Sequence, residues 1–188
     1  MLILVRHGQT DANARGLLCG HADPPLTDVG CEQARALAAA LPRPARIVSS
    51  PLGRARQTAS VLAGGGRVEV DARWIEMDYG ALDGTAAADV DERTRRRWHA
   101  DPDWAPPGGE PLAAVGTRVR AACTELADAA ARGDVVVVSH VSPIKAAVAW
   151  ALGVDDTVAW RMFLADAAVC RIDTSGRAPL LRAFSVVL

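Results

Sequence analysis

The stretch LILVRHGQT, residues 2–10, begins with four aliphatic residues and then turns polar. The aliphatic run, Leu2–Val5, predicts a short buried strand. This strand delivers Arg6 and His7 at its carboxyl end, which in an open α/β sheet is the edge where ligands bind. Gly8 allows a tight turn beside the imidazole. We therefore interpret His7 as a candidate nucleophile at the mouth of a crevice.

Composition excludes several classes of protein. The chain has 188 residues, 50% of them hydrophobic, so we expect one domain spanning residues 1–188. A net charge of −1 gives no sign of a nucleic-acid partner or of binding to an anionic membrane. No apolar run approaches a membrane span, and the amino terminus lacks a signal-peptide pattern. The four cysteines are scattered, as is typical of reduced thiols, so we expect a cytoplasmic protein.

The first half of the chain predicts alternating strands and helices. Short strands are predicted at Leu2–Val5, Ile47–Val48 and Val68–Val70. A helix capped by Thr27 is expected to run to about residue 41, and a second helix should begin at Pro51. This alternation is typical of a mainly parallel sheet with helices on both faces. We predict an α/β fold, a three-layer α/β/α sandwich.

An irregular segment, residues 74–109, separates the two halves of the chain. It consists of glycine-, aspartate- and proline-rich loops around one short helix, which the sequence predicts over 86–98. The segment is too short for a second domain but long enough to cover a site. We therefore expect a cap over about 85–110.

The second half of the chain returns to regular structure. A long helix is predicted over 111–132, and the β-branched run Val135–Val138 predicts a strand. Ser142-Pro143 has the order of a helix N-cap followed by a first helical proline. Two final runs predict an antiparallel hairpin at one edge of the sheet, over 169–172 and 180–187.

Three predicted strands end on polar residues that are expected to meet at one edge of the sheet: Arg6-His7, Ser49-Ser50 with Arg54 one turn later, and Ser139-His140. Arginine offers paired donors to phosphate oxygens, and a neutral imidazole held by a hydrogen bond is a nucleophile toward phosphorus. Glu76 is the loop carboxyl best placed in sequence to protonate a departing alkoxide. That role requires a protonated carboxyl, which burial or a dianionic substrate would favour.

Five ordered blocks carry a family pattern: RHGQTDAN at 6–13, DPPLTDVGCEQA at 23–34, SSPLGRARQTA at 49–59, Glu76 with YGALDG at 79–84, and VSH at 138–140. With these blocks the chain resembles the histidine phosphatase, or phosphoglycerate mutase-like, superfamily. The blocks extend over most of the chain. The resemblance implies a phosphomonoesterase that acts through a phosphohistidine on His7, with Glu76 as general acid and base.

The resemblance also implies the residues around the phosphoryl group. Those expected to hold it are Arg6, Arg54, His140 and Asn13, with Thr10, Gly20, Tyr79 and Val141 as further substrate-binding candidates. No metal and no cofactor are implied, and the sequence contains no HExxH motif. The expected partner is a small-molecule phosphate ester, as in the phosphatase branch that includes α-ribazole phosphatases.

Several alternatives stay open at this point. A phosphoglycerate-type mutase and a catalytically silent phospho-ligand binding protein share the same scaffold, although the short chain favours a phosphatase. Val141 stands where the family commonly has glycine, so this turn must use ordinary backbone angles. The run Arg93–Arg97 is either a solvated helix face or a second anion contact above the pocket. The carboxyl-terminal hairpin either pairs across a homodimer or faces solvent.

Overall fold

The centre of the protein is a six-stranded sheet, seen in a computed structural model that describes all residues from Met1 to Leu188. Its strands are β1 (Leu2–Arg6), β2 (Arg46–Ser49), β3 (Glu69–Val70), β4 (Val135–Ser139), β5 (Val169–Asp173) and β6 (Leu180–Val186). They lie in the order β3-β2-β4-β1-β5-β6. The first four strands in this order are parallel, β5 is antiparallel to β1, and β6 is antiparallel to β5. The predicted mainly parallel sheet with an antiparallel hairpin at one edge is confirmed.

Six α-helices surround the sheet: α1 (Asp11–Ala14), α2 (Asp28–Ala40), α3 (Gly53–Ala63), α4 (Glu92–Ala100), α5 (Leu112–Arg132) and α6 (Val141–Leu152). Four 3-10 turns accompany them, at Ala72–Trp74, Gly80–Leu82, Ala87–Asp89 and Asp156–Arg161. No helix combines the length and the apolar character that crossing a membrane requires.

The side chains of the strands alternate between two hydrophobic cores, which produces the three layers. On β1, Leu2 and Leu4 pack into the core beneath α5 and α6, whereas Ile3 and Val5 pack into the core beneath α2 and α3. All five residues of β4 are buried, because both of its faces are covered. Burial of each such aliphatic side chain contributes roughly 1.5–3 kcal/mol.

The register of the two central strands sets the site. β1 pairs with β4 in parallel, with Val5 opposite Val138 and Arg6 opposite Ser139. The residues that follow, His7 and His140, therefore leave the same edge of the sheet side by side.

Two predicted helix starts are wrong, and both errors have the same cause. Helix α3 begins at Gly53 rather than at Pro51, and the Asp23 carboxylate accepts hydrogen bonds from its first N–H groups. Helix α6 begins at Val141 rather than at Ser142-Pro143, and the Glu76 carboxylate accepts its first N–H groups. In both helices a carboxylate from a loop distant in sequence accepts the N–H groups that a neighbouring side chain was expected to cap. A local sequence pattern cannot indicate such a partner.

Three other boundaries differ from those predicted. The loop after β1 contains α1, because Thr10 and Asn13 form a reciprocal capping box there. The cap helix α4 begins at Glu92, six residues later than predicted, and a 3-10 turn occupies Ala87–Asp89. The third strand shortens to Glu69–Val70. The Thr27 cap of α2 is confirmed, since its side chain accepts the N–H of Gly30.

The exit of β1 and the first turn of α2 are in backbone contact. A methyl group built at Gly8 would fall on the Gly30 carbonyl, and one built at Gly30 would fall on the Gln9 carbonyl. Two glycines therefore allow α2 to lie against the turn that carries His7.

We expect Gly30→Ala to lower the free energy of unfolding by about 1–3 kcal/mol, because backbone atoms must shift to admit the methyl group. Alanine would normally stabilise an exposed helix position by up to about 1 kcal/mol, so the sign of the change identifies the clash. Urea unfolding measures it. Gly176→Ala is the control, since its methyl group meets nothing closer than 3.5 Å and should change stability by less than about 0.5 kcal/mol. A stabilised Gly30→Ala protein would contradict the packing argument.

Candidate active site

His7 is held in one tautomer at the carboxyl end of β1. Its Nδ1 lies 2.7 Å from the Gly8 carbonyl oxygen, which can only accept, so Nδ1 carries the hydrogen. The Nε2 atom accepts a hydrogen bond from Nε of Arg54 at 3.2 Å. The lone pair of Nε2 is therefore the reactive position of this imidazole.

His7 is neutral because its surroundings oppose a positive charge. Burial lowers its pKa well below the usual value, and the nearby charges of Arg6 and Arg54 lower it further. The hydrogen bond to Gly8 acts in the opposite direction but is the weakest of these effects. A neutral imidazole keeps the lone pair that a nucleophile needs.

Arg54, in the first turn of α3, is buried, and each nitrogen of its guanidinium donates to an acceptor within the protein. Besides the bond to His7, its guanidinium donates to the carbonyl oxygens of Cys19, Gly20 and Ala22 and contacts the Asp23 carboxylate at 3.3 Å. The guanidinium thereby ties the loop after α1 to the nucleophile. Only its Nε–H is directed at the reactive nitrogen.

His140 lies against His7, with ring centroids 5.0 Å apart in an edge-on arrangement. The Ser50 hydroxyl oxygen accepts the N–H of Leu52 and lies 2.7 Å from His140 Nε2, so its hydrogen is free to donate to this nitrogen. In that arrangement Nδ1 of His140 carries a hydrogen, and this buried atom has no partner in the protein. Burial holds the pKa of His140 well below its usual value, and the nearby charges of Arg54 and Arg6 lower it further.

Glu76 joins the site from the loop after β3 and is almost completely buried. Its Oε1 accepts the N–H groups of Met77 (2.7 Å) and Ser142 (3.1 Å), and its Oε2 accepts the N–H of Val141 (3.0 Å). The carboxyl group thus sits at the amino end of α6 and accepts the first backbone N–H groups of this helix. Val141, predicted as a substrate-binding candidate, contacts Glu76 through its backbone N–H, and its backbone adopts no left-handed conformation.

A second layer of contacts holds the Glu76 segment. Arg118 of α5 forms a two-bond ion pair with Glu110 (2.9 Å for each bond) and donates to the carbonyl oxygens of Arg73 and Glu76. The His21 ring lies 3.1 Å from the same Glu76 carbonyl. Glu110 thus helps to position the loop that carries Glu76, through Arg118.

Arg6 lies at the edge of an open cleft of about 610 Å³. One of its terminal nitrogens donates to the Leu164 carbonyl (2.7 Å), and the other lies 2.8 Å from the Asp166 carboxylate. Its Nε is buried without a partner. A donor without an acceptor beside a cleft is consistent with an anionic ligand at this point.

Asn13 lines the same cleft. Its side-chain Oδ1 accepts both the backbone N–H and the hydroxyl hydrogen of Thr10. Its side-chain Nδ2 forms no hydrogen bond within the protein. Thr10 therefore orients Asn13 from a buried position. Gly20 has its N–H on Asp83 and its carbonyl on Arg54, so its visible contribution is to hold the guanidinium.

Tyr79 links the site to the cap. Its hydroxyl lies 3.3 Å from the Ser142 hydroxyl, and its ring packs edge-on against Trp98 of α4, with centroids 5.7 Å apart. Burial strongly raises the pKa of this phenol, so Tyr79 stays neutral. Trp98 in turn packs against Trp104 and Trp160.

The run Arg93–Arg97 has partners outside the phosphate site. Arg95 donates to the carbonyl oxygens that precede α4, Arg96 pairs with Glu92 on the outer face, and the Arg97 guanidinium lies 5.5 Å from the centroid of Trp104. These contacts, with the exposure of Arg93, Arg96 and Arg97, favour the interpretation of the run as a solvated helix face.

The site also uses residues to which the sequence patterns gave no role: Asp23, Arg118, Asp166 and Lys145. Asp23 lies in one of the five blocks, which is a signal that could have identified it. Arg118 and Asp166 reach the site through contacts between residues at least 42 positions apart in sequence, and Lys145 reaches it through the direction in which its face of α6 points. Sequence patterns do not show either feature. No group of three or more histidine, cysteine or acidic side chains is arranged to hold a metal ion.

The sheet edge therefore carries two neutral histidines, buried guanidinium groups and one carboxyl at a helix amino end. This combination defines an α/β protein whose site is built for a phosphoryl group. The chain belongs to the histidine phosphatase superfamily (branch 1), whose family model matches residues 2–186.

Two related sequences agree with this membership. The chain is 38% identical over 171 residues to a bifunctional protein of Mycobacterium tuberculosis; the match covers 87% of this chain and 47% of that protein, so the chain spans about half the length of this relative. It is 38% identical over 167 residues to phosphoserine phosphatase 1 of Hydrogenobacter thermophilus, covering 85% of this chain and 79% of the relative.

A solved structure matches the whole fold. A mycobacterial glucosyl-3-phosphoglycerate phosphatase in complex with VO3 superimposes with a TM-score of 0.87 at 33% identity, and the match covers 98% of each chain. The homologues support a phosphatase.

The two neutral histidines predict how stability depends on pH. Because the folded pKa values of His7 and His140 lie well below the unfolded value of 6.5, the unfolded chain binds more protons below pH 6.5. The contribution of the two histidines to the free energy of unfolding is therefore fully present above pH 6.5. It falls as the pH drops, with a slope that approaches about 1.4 kcal/mol per pH unit for each histidine. Urea unfolding between pH 6.5 and 5.0 measures this slope.

We expect His140→Gln to reduce that slope by up to about 1.4 kcal/mol per pH unit, since it removes one of the two groups. Arg56→Gln, at an exposed position of α3, should leave the slope unchanged. Equal slopes in the wild type and in His140→Gln would show that His140 is not held neutral.

Proposed function

We propose that this protein is a phosphomonoesterase that needs no metal and hydrolyses a small phosphorylated metabolite through a phosphohistidine on His7. The observation that carries the proposal is the pair of hydrogen-bond contacts of this imidazole, from which its tautomer follows. Its Nδ1–H is fixed on the Gly8 carbonyl, and its Nε2 lone pair faces the Arg54 Nε–H at 3.2 Å. The nucleophile is thus neutral, oriented and next to a donor for phosphoryl oxygens.

In the first step His7 Nε2 forms a bond to phosphorus while the ester P–O bond breaks. Arg6, Arg54 Nε–H and the unpartnered Nδ1–H of His140 supply donors for the phosphoryl oxygens, together with the Asn13 amide. The Nε–H of Arg6 and the Nδ1–H of His140 have no protein acceptor to give up, whereas the Arg54 Nε–H leaves the Nε2 lone pair and turns to a phosphoryl oxygen as the N–P bond forms. The electron pair of the broken bond goes to the leaving oxygen.

Glu76 supplies the proton for that oxygen, and its hydrogen bonds indicate from which atom. Both lone pairs of Oε1 are occupied by the N–H groups of Met77 and Ser142. Oε2 has one good donor, the N–H of Val141, and keeps one lone pair for a proton. Oε2 is therefore the acid oxygen in this proposal.

In the second step a water oxygen attacks the phosphorus of phosphohistidine. The ionised Oε2 of Glu76 takes the proton of this water, the N–P bond breaks, and its electron pair returns to His7 Nε2. Inorganic phosphate leaves, and Glu76 is protonated again for the next substrate.

Hydrolysis is favoured over a mutase reaction, which must hold a monophosphate product for reorientation. The cap contributes one nine-residue helix, α4, and the cleft beside Arg6 is open. The names of two relatives, phosphoserine phosphatase and glucosyl-3-phosphoglycerate phosphatase, support a small phosphate ester as substrate. All four cysteines are free thiols, which supports a cytoplasmic location.

Substitution of the nucleophile tests the proposal directly. We expect His7→Ala to lose phosphate release from p-nitrophenyl phosphate in EDTA and to form no acid-labile, alkali-stable phosphoenzyme, because no other nitrogen replaces Nε2. Vanadate should inhibit the wild type. His99→Ala is the control, since this histidine stacks on Trp160 in the cap, and it should keep the phosphoenzyme. Undiminished turnover by His7→Ala would overturn the assignment.

Substitution of Glu76 separates the two steps. With p-nitrophenyl phosphate the leaving group needs little protonation, so Glu76→Gln should release one equivalent of p-nitrophenol in a burst. Hydrolysis of the phosphohistidine then lacks its base, and we expect kcat to fall by about 10²–10⁴-fold while the phosphoenzyme accumulates. Rapid-mixing absorbance and acid-quench labelling measure these quantities. Glu92→Gln, exposed on α4, is the control, and wild-type turnover by Glu76→Gln would contradict the role.

A further inference from the structure

One cation in the cleft beside Arg6 has no partner. The charged side chains that line this cleft are those of Arg6, Asp166 and Lys145. Arg6 and Asp166 pair at 2.8 Å, and Arg6 also donates to the Leu164 carbonyl. Lys145 forms neither an ion pair nor a hydrogen bond; only burial and the more distant charges of Glu76 and Arg6 act on it.

The position of Lys145 is unfavourable for an ammonium group without a ligand. The residue is half-buried, and burial lowers its pKa; the charge of Glu76 opposes this effect, whereas the charge of Arg6 adds to it. It is also the only lysine in a chain that otherwise uses arginine as its basic residue. A desolvated cation without a protein partner, at the edge of an open cleft, is in place to meet an anion from outside.

Helix α6 couples Lys145 to the catalytic carboxyl. The helix begins at Val141, whose N–H donates to Glu76 Oε2. Lys145 follows four residues later and therefore lies on the same face, one turn farther along. The cleft between them and Arg6 also has apolar lining, from Leu17 and the largely exposed Phe163, for the carbon skeleton of a ligand.

We propose that Lys145 binds a second anionic group, a carboxylate or a second phosphate, of the ester whose phosphoryl group lies at His7. The inference rests on the proposed phosphatase function and names its substrate class: small phosphate esters with two anionic ends. The charge of Arg6 is already paired with that of Asp166. The unpaired ammonium group of Lys145 therefore makes the protein bind doubly anionic esters more tightly than singly anionic ones.

Two matched pairs of esters test this inference. 3-Phosphoglycerate differs from glycerol 3-phosphate in its carboxylate, and propane-1,3-diol bisphosphate differs from 3-hydroxypropyl phosphate in its second phosphate. We expect the wild type to prefer the doubly anionic member of at least one pair by tenfold or more in kcat/KM. The pair that shows the preference identifies the anionic group. No preference in either pair would overturn the proposal.

Variants then assign the preference to the ammonium group. Lys145→Gln should reduce the kcat/KM ratio within the preferred pair at least tenfold, whereas Lys145→Arg should keep most of it. Arg96→Gln makes the same charge change on the outer face of α4 and should leave the ratio unchanged. Thermal unfolding of Lys145→Gln shows whether the fold is intact. A ratio that survives Lys145→Gln would overturn the proposal.

Binding separates this inference from the phosphatase proposal. Calorimetry with the His7→Ala protein gives Kd for each ester without turnover. A tenfold or larger preference in Kd that Lys145→Gln removes supports the anion site even if the wild type hydrolyses none of the esters. Equal Kd values within both pairs overturn the anion site even if the wild type is an active phosphatase.

Discussion

The two helices that carry the phosphate site start without side-chain caps of their own, and each uses a carboxylate from a distant loop. Asp23 satisfies the first N–H groups of α3, and Glu76 satisfies those of α6. Because these donors have no partner within their own helices, the starts of both helices are coupled to the two loops. The site is thus completed by the same contacts that complete the fold, and Glu76 serves both purposes.

Arg54 supplies the corresponding constraint on the other side of His7. Its guanidinium is buried and engaged by loop carbonyl groups, so it stays close to the nucleophile with little freedom to move. The same positive charge helps to keep both histidines neutral, as does burial. A nucleophile with a free lone pair therefore coexists with cations that attract phosphate, a combination that would be hard to maintain in water.

The sheet and the meeting of His7 with His140 were predictable, because aliphatic strands that end on polar residues share one edge when they are parallel. The starts of α3 and α6 were not, since their caps come from residues 30 and 65 positions away. The position of Lys145 at the cleft was not predictable either, because a single lysine in an apolar helix does not indicate which cleft it faces. Local patterns describe elements well, whereas caps and cleft linings depend on the packed chain.

The aromatic cluster of the cap gives the protein an internal optical reporter. Trp98 lies within 6.4 Å of both Trp104 and Trp160, measured between ring centroids, and also packs against Tyr79, which reaches the active-site helix. Three of the five tryptophans of the chain are thus concentrated at one point around Trp98. Intrinsic fluorescence is weighted toward this point, so the emission spectrum of the unlabelled protein follows displacement of the cap.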